Sequence, residues 1–194
     1  MRKRQPRPRS RNATLRIIGG DWRRRQLSFP ELEGLRPTPD RVRETLFNWL
    51  APTLPGSRCL DLFAGSGALG LEALSRGAGA IDFVEMAPAA ARALQQNLDL
   101  LKANNGRIHN LDALAFLNRP PEQPYDLIFL DPPFRKGWLG QVIERLDAAW
   151  VRDGGYVYVE HEQEMGEQVW PEHWRLHRQK RAGQVVYSLF EVSA

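Results

Sequence analysis

The stretch "LDLFAGSGALGLEAL", residues 60–74, decides the fold. It continues the apolar run "RCLDLF" (58–63), which reads as a strand. Gly65 and Gly67 then make a tight turn, and Ala68 to Leu74 read as a helix through about Arg76. Gly65, Gly67 and Gly70 match G-x-G-x-x-G in the strand–turn–helix context where the pattern has meaning, because glycine lets the backbone turn sharply and approach a ligand. Glu85, closing the next strand "AIDFVE", lies 20 residues after Gly65, where an acid meets ribose hydroxyls. Dinucleotide-binding dehydrogenases share this spacing. The turn therefore specifies a nucleoside-containing cofactor and leaves its identity open.

Outward from that unit the pattern alternates. "PAAARALQQNLDLLKAN" reads as a helix with Pro88 at its start and Leu94, Leu98 and Leu101 on one side. "RIHNL" is a short strand, "ALAFL" a short helix, "YDLIFL" a strand, "WLGQVIERLDAAW" a helix and "GYVYVE" a strand. "RDGG" (152–155) reads as a turn entering that last strand. Two strand-like runs around Ala182-Gly183 make a terminal hairpin. Strands alternating with helices predict an α/β fold: a parallel sheet covered on both faces, with antiparallel strands added at one side. Ahead of it, "LRIIGGDWRRRQLSF" predicts a hairpin turning near Gly19-Gly20, and "RPTPDRVRETLFNWL" a helix capped by Thr38 or Asp40. Three units result: a disordered basic tail (1–14), an RNA-facing hairpin and helix (15–55) and the main domain (56–194).

The formal net charge of +4 hides an asymmetry. Residues 1–43 hold 13 Lys and Arg against four acids, a balance of +9, so the remainder carries −5. A basic front on an acidic body suits a polyanion met at one end. Trp22 beside Arg23, Arg24 and Arg25 favours RNA, since arginine meets phosphate while an indole stacks on a base; Arg41 joins this group. A solubilising tail is the plainer alternative. One cysteine, Cys59, excludes an intrachain disulfide, and no apolar run reaches membrane-spanning length. A soluble cytoplasmic protein is expected. The four histidines show no metal-site spacing with acids, and no metal is expected.

Two further acids narrow the cofactor. Asp61 lies in the strand end before the glycine turn, where a carboxylate suits an ammonium or sulfonium and repels a pyrophosphate. Asp112 follows the third strand and can accept from an adenine amine, although an Asp there is more often just an ordinary helix cap. Acids at three successive strand ends suit S-adenosylmethionine. The fourth strand ends in "DPPF", 131–134. Asp131 offers acceptors, and Pro132 and Pro133 offer carbonyls with no N–H. The natural guest is an NH2 group, one hydrogen to the carboxylate and one to a main-chain carbonyl, with Phe134 as a stacking ring.

Together "DLFAGSGALGLEALSRGA", "FVEM", "LDPPF", "RIIGGDWRRRQL", "RPTPDRVRETLFNWLAP" and "AGQVVYSLFE" resemble the RsmD family of bacterial 16S ribosomal RNA guanine-N2 methyltransferases, from about Leu15 to Val192. The resemblance implies a class I methyltransferase fold with seven strands, S-adenosylmethionine as donor, and a guanine of 16S RNA in the assembling small subunit as acceptor, with the protein a monomer. By position it implies that Asp61, Ala64, Gly65, Ser66 and Gly67 line the methionine end, Glu85 and Met86 the ribose side, and Asp112 and Ala113 the adenine. It places Asp131, Pro132 and Phe134 around the base. The competing readings are an adenine-N6 or protein-glutamine methyltransferase, a non-catalytic RNA-binding protein on the same scaffold, and a dehydrogenase.

Overall fold

The computed structural model describes residues 12–134, 136–165 and 170–193. In chain order the elements are β1 (Asn12–Arg16), β2 (Gln26–Pro30), α1 (Asp40–Leu50), β3 (Arg58–Asp61), α2 (Ala68–Ser75), β4 (Ala80–Val84), α3 (Pro88–Leu101), β5 (Gly106–His109), α4 (Ala113–Leu117), β6 (Tyr125–Leu130), α5 (Trp138–Ile143), β7 (Val151–Glu162), β8 (Trp174–Ala182) and β9 (Val185–Val192). A seven-stranded sheet runs β5-β4-β3-β6-β7-β9-β8, beside the two-stranded β1-β2 hairpin. Strands β5, β4, β3, β6 and β7 are parallel, and β9 enters antiparallel between β7 and β8. The chain reverses its strand order between β3 and β6, and ligands of open α/β sheets bind at the carboxyl edge of such a switch point.

Burial alternates along the strands and so defines two apolar layers. Cys59, Ile81, Phe83, Leu127, Phe129 and Tyr158 face a layer built from β1, β2, α1, α2 and α3. Leu60, Val84, Ile128, Leu130, Val157 and Val159 face α4 and α5. The segment 15–55 is part of the first core, contributing Leu15, Ile17, Leu27, Phe29, Val42, Leu46 and Phe47. Helix α2 is buried along all eight residues, because the sheet lies on one side and the front segment on the other.

A buried ionic bracket holds that front segment. Glu72 on α2 is fully buried and accepts four bonds: the Ile18 and Gly19 N–H groups at 2.9 and 2.8 Å, Arg76 Nε at 2.7 Å and Arg43 Nη1 at 3.2 Å. Arg43, 1% exposed, also donates to Asp40, to the Arg16 carbonyl and, through Nε, to the Thr38 carbonyl at 3.0 Å. Gly20 is required where this segment crosses the end of α2: its φ is +75°, and a Cβ would sit 1.8 Å from the Ser75 carbonyl oxygen. The motifs "RIIGG", "RVRE" and "GLEAL" are thus three sides of one buried structure.

Four expectations are corrected. The tail expected over 1–14 lies outside the described residues for 1–11, while Asn12 to Thr14 pair in β1. Neither Thr38 nor Asp40 caps α1; Pro39 stands at that position, Asp40 opens the helix, and the Thr38 hydroxyl turns elsewhere. The helix expected over Trp138–Trp150 spans Trp138–Ile143, because Asp147 bonds the Ala149 N–H and turns the chain, as a short acid does in competition with helix. The "RDGG" turn lies inside β7: Val151 already pairs with Tyr125, and register resumes at Leu127 with Tyr156.

Candidate active site

The ends of β3, β4 and β6 bring most of the expected residues to one edge. Gly65 (φ +54°) and Gly67 (φ +80°) form the turn after β3. The positive φ of Gly67 favours glycine there, where a Cβ would also lie 2.4 Å from the Leu94 Cδ1, whereas around Gly65 only Leu35 and the Phe63 carbonyl come within 4 Å. Glu85 closes this turn from β4: one oxygen accepts the Gly65 N–H at 2.8 Å and the other the Ala87 N–H at 2.7 Å. Each oxygen keeps a free lone pair, a fit for two neighbouring hydroxyls.

Asp61 is 2% exposed and accepts the Gly70 N–H at 3.1 Å, so it braces the start of α2. Burial pushes its pKa up to about 7, with Glu85 and Glu160 adding to the rise and backbone hydrogen bonds opposing it. Among the described residues no cation pairs with it. An acid held this way favours a positively charged guest. Ala64 and Ser66 are buried in the turn's backbone, and Met86 stands 62% exposed at its rim.

Asp112 takes the plainer of its two readings: it is the N-cap of α4, its Oδ1 accepting the Ala115 N–H at 2.9 Å. Among the described residues its other oxygen accepts no such bond, and Ala113 is buried. Trp138 packs edge-on against Phe63 of the glycine turn, with ring centroids 6.1 Å apart, and so borders the same edge.

At the end of β6, Pro132 is buried while Pro133 and Phe134 are exposed. Asp131 is half-buried and has company that sequence reasoning missed. Thr38 Oγ1 lies 3.4 Å from Asp131 Oδ2 and 3.1 Å from Oε1 of Glu160, and that same Oε1 accepts the Tyr158 hydroxyl at 2.8 Å. Glu160 is 4% exposed, two residues from the end of β7. Burial, then Glu160, then Asp61 raise the Asp131 pKa well above the usual carboxylate range. Burial likewise raises Glu160. The available signal was the repeated pattern: "YVYVE" ends in an acid as "CLD", "FVE" and "FLD" do.

Trp22 to Arg25 lie elsewhere. The Trp22 N–H donates to Ser75 Oγ at 3.0 Å and the Asp21 N–H to the Ser75 carbonyl, so this loop docks on the C-terminus of α2. The glycine turn is at the other end of that helix, roughly 12 Å away. The Trp22 ring is half-buried against the core, while Arg23, Arg24, Arg25 and Arg41 are exposed. A second basic surface escaped sequence reasoning: edge strand β8 exposes Arg178, Lys180 and Arg181. Lys180 is in register with Tyr187, which is in register with Glu160, two strands and about 10 Å from the acidic cluster.

Among the described residues, no group of three or more His, Cys, Asp or Glu could hold a metal ion. No helix of the described residues is long and apolar enough to cross a membrane. The insertion of β9 departs from the all-parallel order of dinucleotide-binding sheets.

Comparison with known proteins gives the family. The family model described as conserved hypothetical protein 95 matches residues 15–191. The ribosomal RNA small subunit methyltransferase D of Escherichia coli K12 is 51% identical over 95% of this chain and 93% of its own length. That of Haemophilus influenzae is 45% identical over 91% and 93%. The solved structure of yhhF from Escherichia coli, described as a candidate methyltransferase, superposes with a TM-score of 0.88 at 49% identity, covering 94% of this chain and 99% of that one. A Haemophilus influenzae methylase structure gives 0.81 at 41% identity, over 94% and 100%.

Proposed function

The chain belongs to the RsmD family of ribosomal RNA small subunit methyltransferases, and from that premise we propose that it methylates the exocyclic N2 amine of a guanine in 16S ribosomal RNA, using S-adenosylmethionine, within the assembling small subunit. The observation that carries the amine as target is the end of β6, where Asp131 presents a carboxylate and Pro132 and Pro133 present carbonyls without an N–H.

The residues around the glycine turn fit the cofactor. Glu85 would hold the ribose hydroxyls on its two free lone pairs, Asp61 and the bare backbone at Gly65 the methionine end, and the free oxygen of Asp112 the adenine amine, with Met86 and Ala113 beside the ring. Bound there, S-adenosylmethionine supplies an electrophilic methyl carbon. Asp131 accepts one hydrogen of the guanine amine and a carbonyl of the proline pair the other. This orients the nitrogen lone pair along the line of attack, so positioning and electrostatics lower the barrier. Phe134 stacks on the base. After methyl transfer the cationic amine would give a proton to the Asp131 carboxylate. Arg23, Arg24, Arg25 and Arg41, with the basic edge of β8, meet phosphates on either side, and the half-buried Trp22 stands beside them. The protein acts as a monomer in the cytoplasm.

Mapping N2-methylguanosine in 16S RNA from cells with and without this protein tests the reading. One methylguanosine disappears on loss of the protein and returns with the wild-type chain but not with Asp131→Ala. An unchanged 16S modification pattern would overturn it.

A further inference from the structure

We infer that Thr38 and Glu160 are positioning residues that form, with Asp131, a two-carboxylate relay in which the Thr38 hydroxyl passes a single shared proton between the acids, so that arrival of the amine places the negative charge on Asp131. The inference rests on the reading of Asp131 as the acceptor of the amine hydrogens.

The geometry favours a shared proton. Thr38 Oγ1 lies within hydrogen-bond reach of a carboxylate on each side, 3.1 Å from Glu160 and 3.4 Å from Asp131. A hydroxyl has one hydrogen, so it can donate to only one of them. The other contact is a hydrogen bond only if that carboxyl is itself protonated and donates to the hydroxyl oxygen. Two oxygen lone pairs facing each other in a partly buried site would otherwise repel. One proton shared between the acids makes both contacts favourable, as two nearby carboxyls commonly do when both cannot ionise.

The surroundings bias the shared proton. With no guest, Glu160 Oε1 accepts from both Thr38 and Tyr158, which favours charge on Glu160 and the proton on Asp131. A guanine amine turns the balance, because its N–H groups donate to Asp131. The Asp131 hydrogen then moves to Thr38 Oγ1 as the Thr38 hydrogen moves to Glu160 Oε1. One O–H bond breaks and one forms at each transfer, and no net charge changes. Asp131, now a carboxylate, takes the proton that the amine loses after methylation. The pair then holds two protons and returns one to solvent as product leaves. The other groups facing the pair are Asp61 from β3 and Tyr158 from β7, with Tyr187 from β9 beyond the latter. The Arg43 guanidinium reaches Thr38 only through its carbonyl, at 3.0 Å, and so holds the hydroxyl in place between the acids. This gives the front segment a role in the chemistry: the buried bracket with Glu72 sets where Thr38 stands.

Carboxyl-carbon NMR titration of the full chain, paired with pH profiles of methyl transfer to unmodified small subunits, tests the relay. Removing the partner charge with Glu160→Gln should lower the midpoint at which Asp131 titrates by one pH unit or more and carry the acid limb of kcat/KM with it. Thr38→Val should cut kcat at least tenfold with S-adenosylmethionine affinity unchanged, and Thr38→Ser should recover most of that loss. Urea midpoints no lower than wild type and unchanged cofactor affinity show that the variants are folded; if Glu160→Gln is not, Thr38→Val against Thr38→Ser decides alone. An Asp131 midpoint unmoved by Glu160→Gln, or a Thr38→Val enzyme with wild-type kcat, overturns the relay. Failure of the wild-type protein to methylate guanine would instead refute the function proposed above.

Discussion

Replacing Glu72 by glutamine should unfold the front of the molecule more than any surface change. The carboxylate meets four donors with four lone pairs: two backbone N–H groups, Arg76 and the buried Arg43. An amide keeps one oxygen and so two acceptors, and turns its NH2 toward the other two donors. Arg43, 1% exposed, loses its buried counter-charge and keeps only Asp40. Breaking a buried pair from one side costs about 3–5 kcal/mol, and the orphaned donors are part of that figure rather than an addition to it. A domain holds about 5–15 kcal/mol in total. With a urea slope of about 2 kcal/mol per molar, the midpoint should fall by roughly 1.5–2.5 M. Equilibrium urea unfolding followed by tryptophan fluorescence measures it. Arg43→Met combined with Glu72→Gln should be less damaging than the sum of the two, with a coupling of at least about 1 kcal/mol. A loss below about 1 kcal/mol for Glu72→Gln would refute the idea that this bracket holds the front segment.

Glu85→Ala should weaken S-adenosylmethionine binding by tenfold or more in calorimetry with the cofactor alone, since the ribose acceptor and the ties to Gly65 and Ala87 go together; unchanged affinity would place the ribose elsewhere. Stability should rise as pH falls from 7.5 to 5. Asp61, Asp131 and Glu160 have raised native pKa values, so above the unfolded value near 4 the native state binds more protons than the unfolded one and loses stability with rising pH, by at most about 1.4 kcal/mol per unit for each group. A lower urea midpoint at pH 5 than at 7.5 would contradict this. Replacing Arg23, Arg24 and Arg25, or Arg178, Lys180 and Arg181, should flatten the salt dependence of RNA binding by about 0.7 in log–log slope for every phosphate that is no longer neutralised. Equal slopes for variant and wild type would make those basic side chains mere solubilising charge.

The α/β alternation and the acids at the strand ends were legible because each rests on local chemistry: Gly65 and Gly67 after a strand, Asp61, Glu85 and Asp131 where strands stop. Thr38 and Glu160 were not, because their meaning depends on partners 93 and 122 residues apart. In sequence, Thr38 before Pro39 reads as a helix cap, and Glu160 reads as the polar end of a strand. Asp112 shows the converse: its local signal, a cap, was the correct one for at least one of its oxygens. The Trp22 loop is legible in sequence by its charge alone, and only the fold shows it docked at the far end of α2 through Ser75. The shortened α5 and the interruption within β7 escaped because Asp147 and Gly154 act on the backbone within an otherwise helical or strand-like composition.

The most direct test of the central claim is methyl transfer by the purified protein from labelled S-adenosylmethionine to small ribosomal subunits lacking the modification, followed by nucleoside analysis of the digested 16S RNA. The account predicts label in N2-methylguanosine at a single position, approaching one methyl per RNA, and at least a tenfold lower kcat, about 1.4 kcal/mol of barrier, for Asp131→Ala with cofactor affinity within a few-fold of wild type. Label recovered in N6-methyladenosine, or an Asp131→Ala protein that methylates at more than a tenth of the wild-type rate, would contradict it.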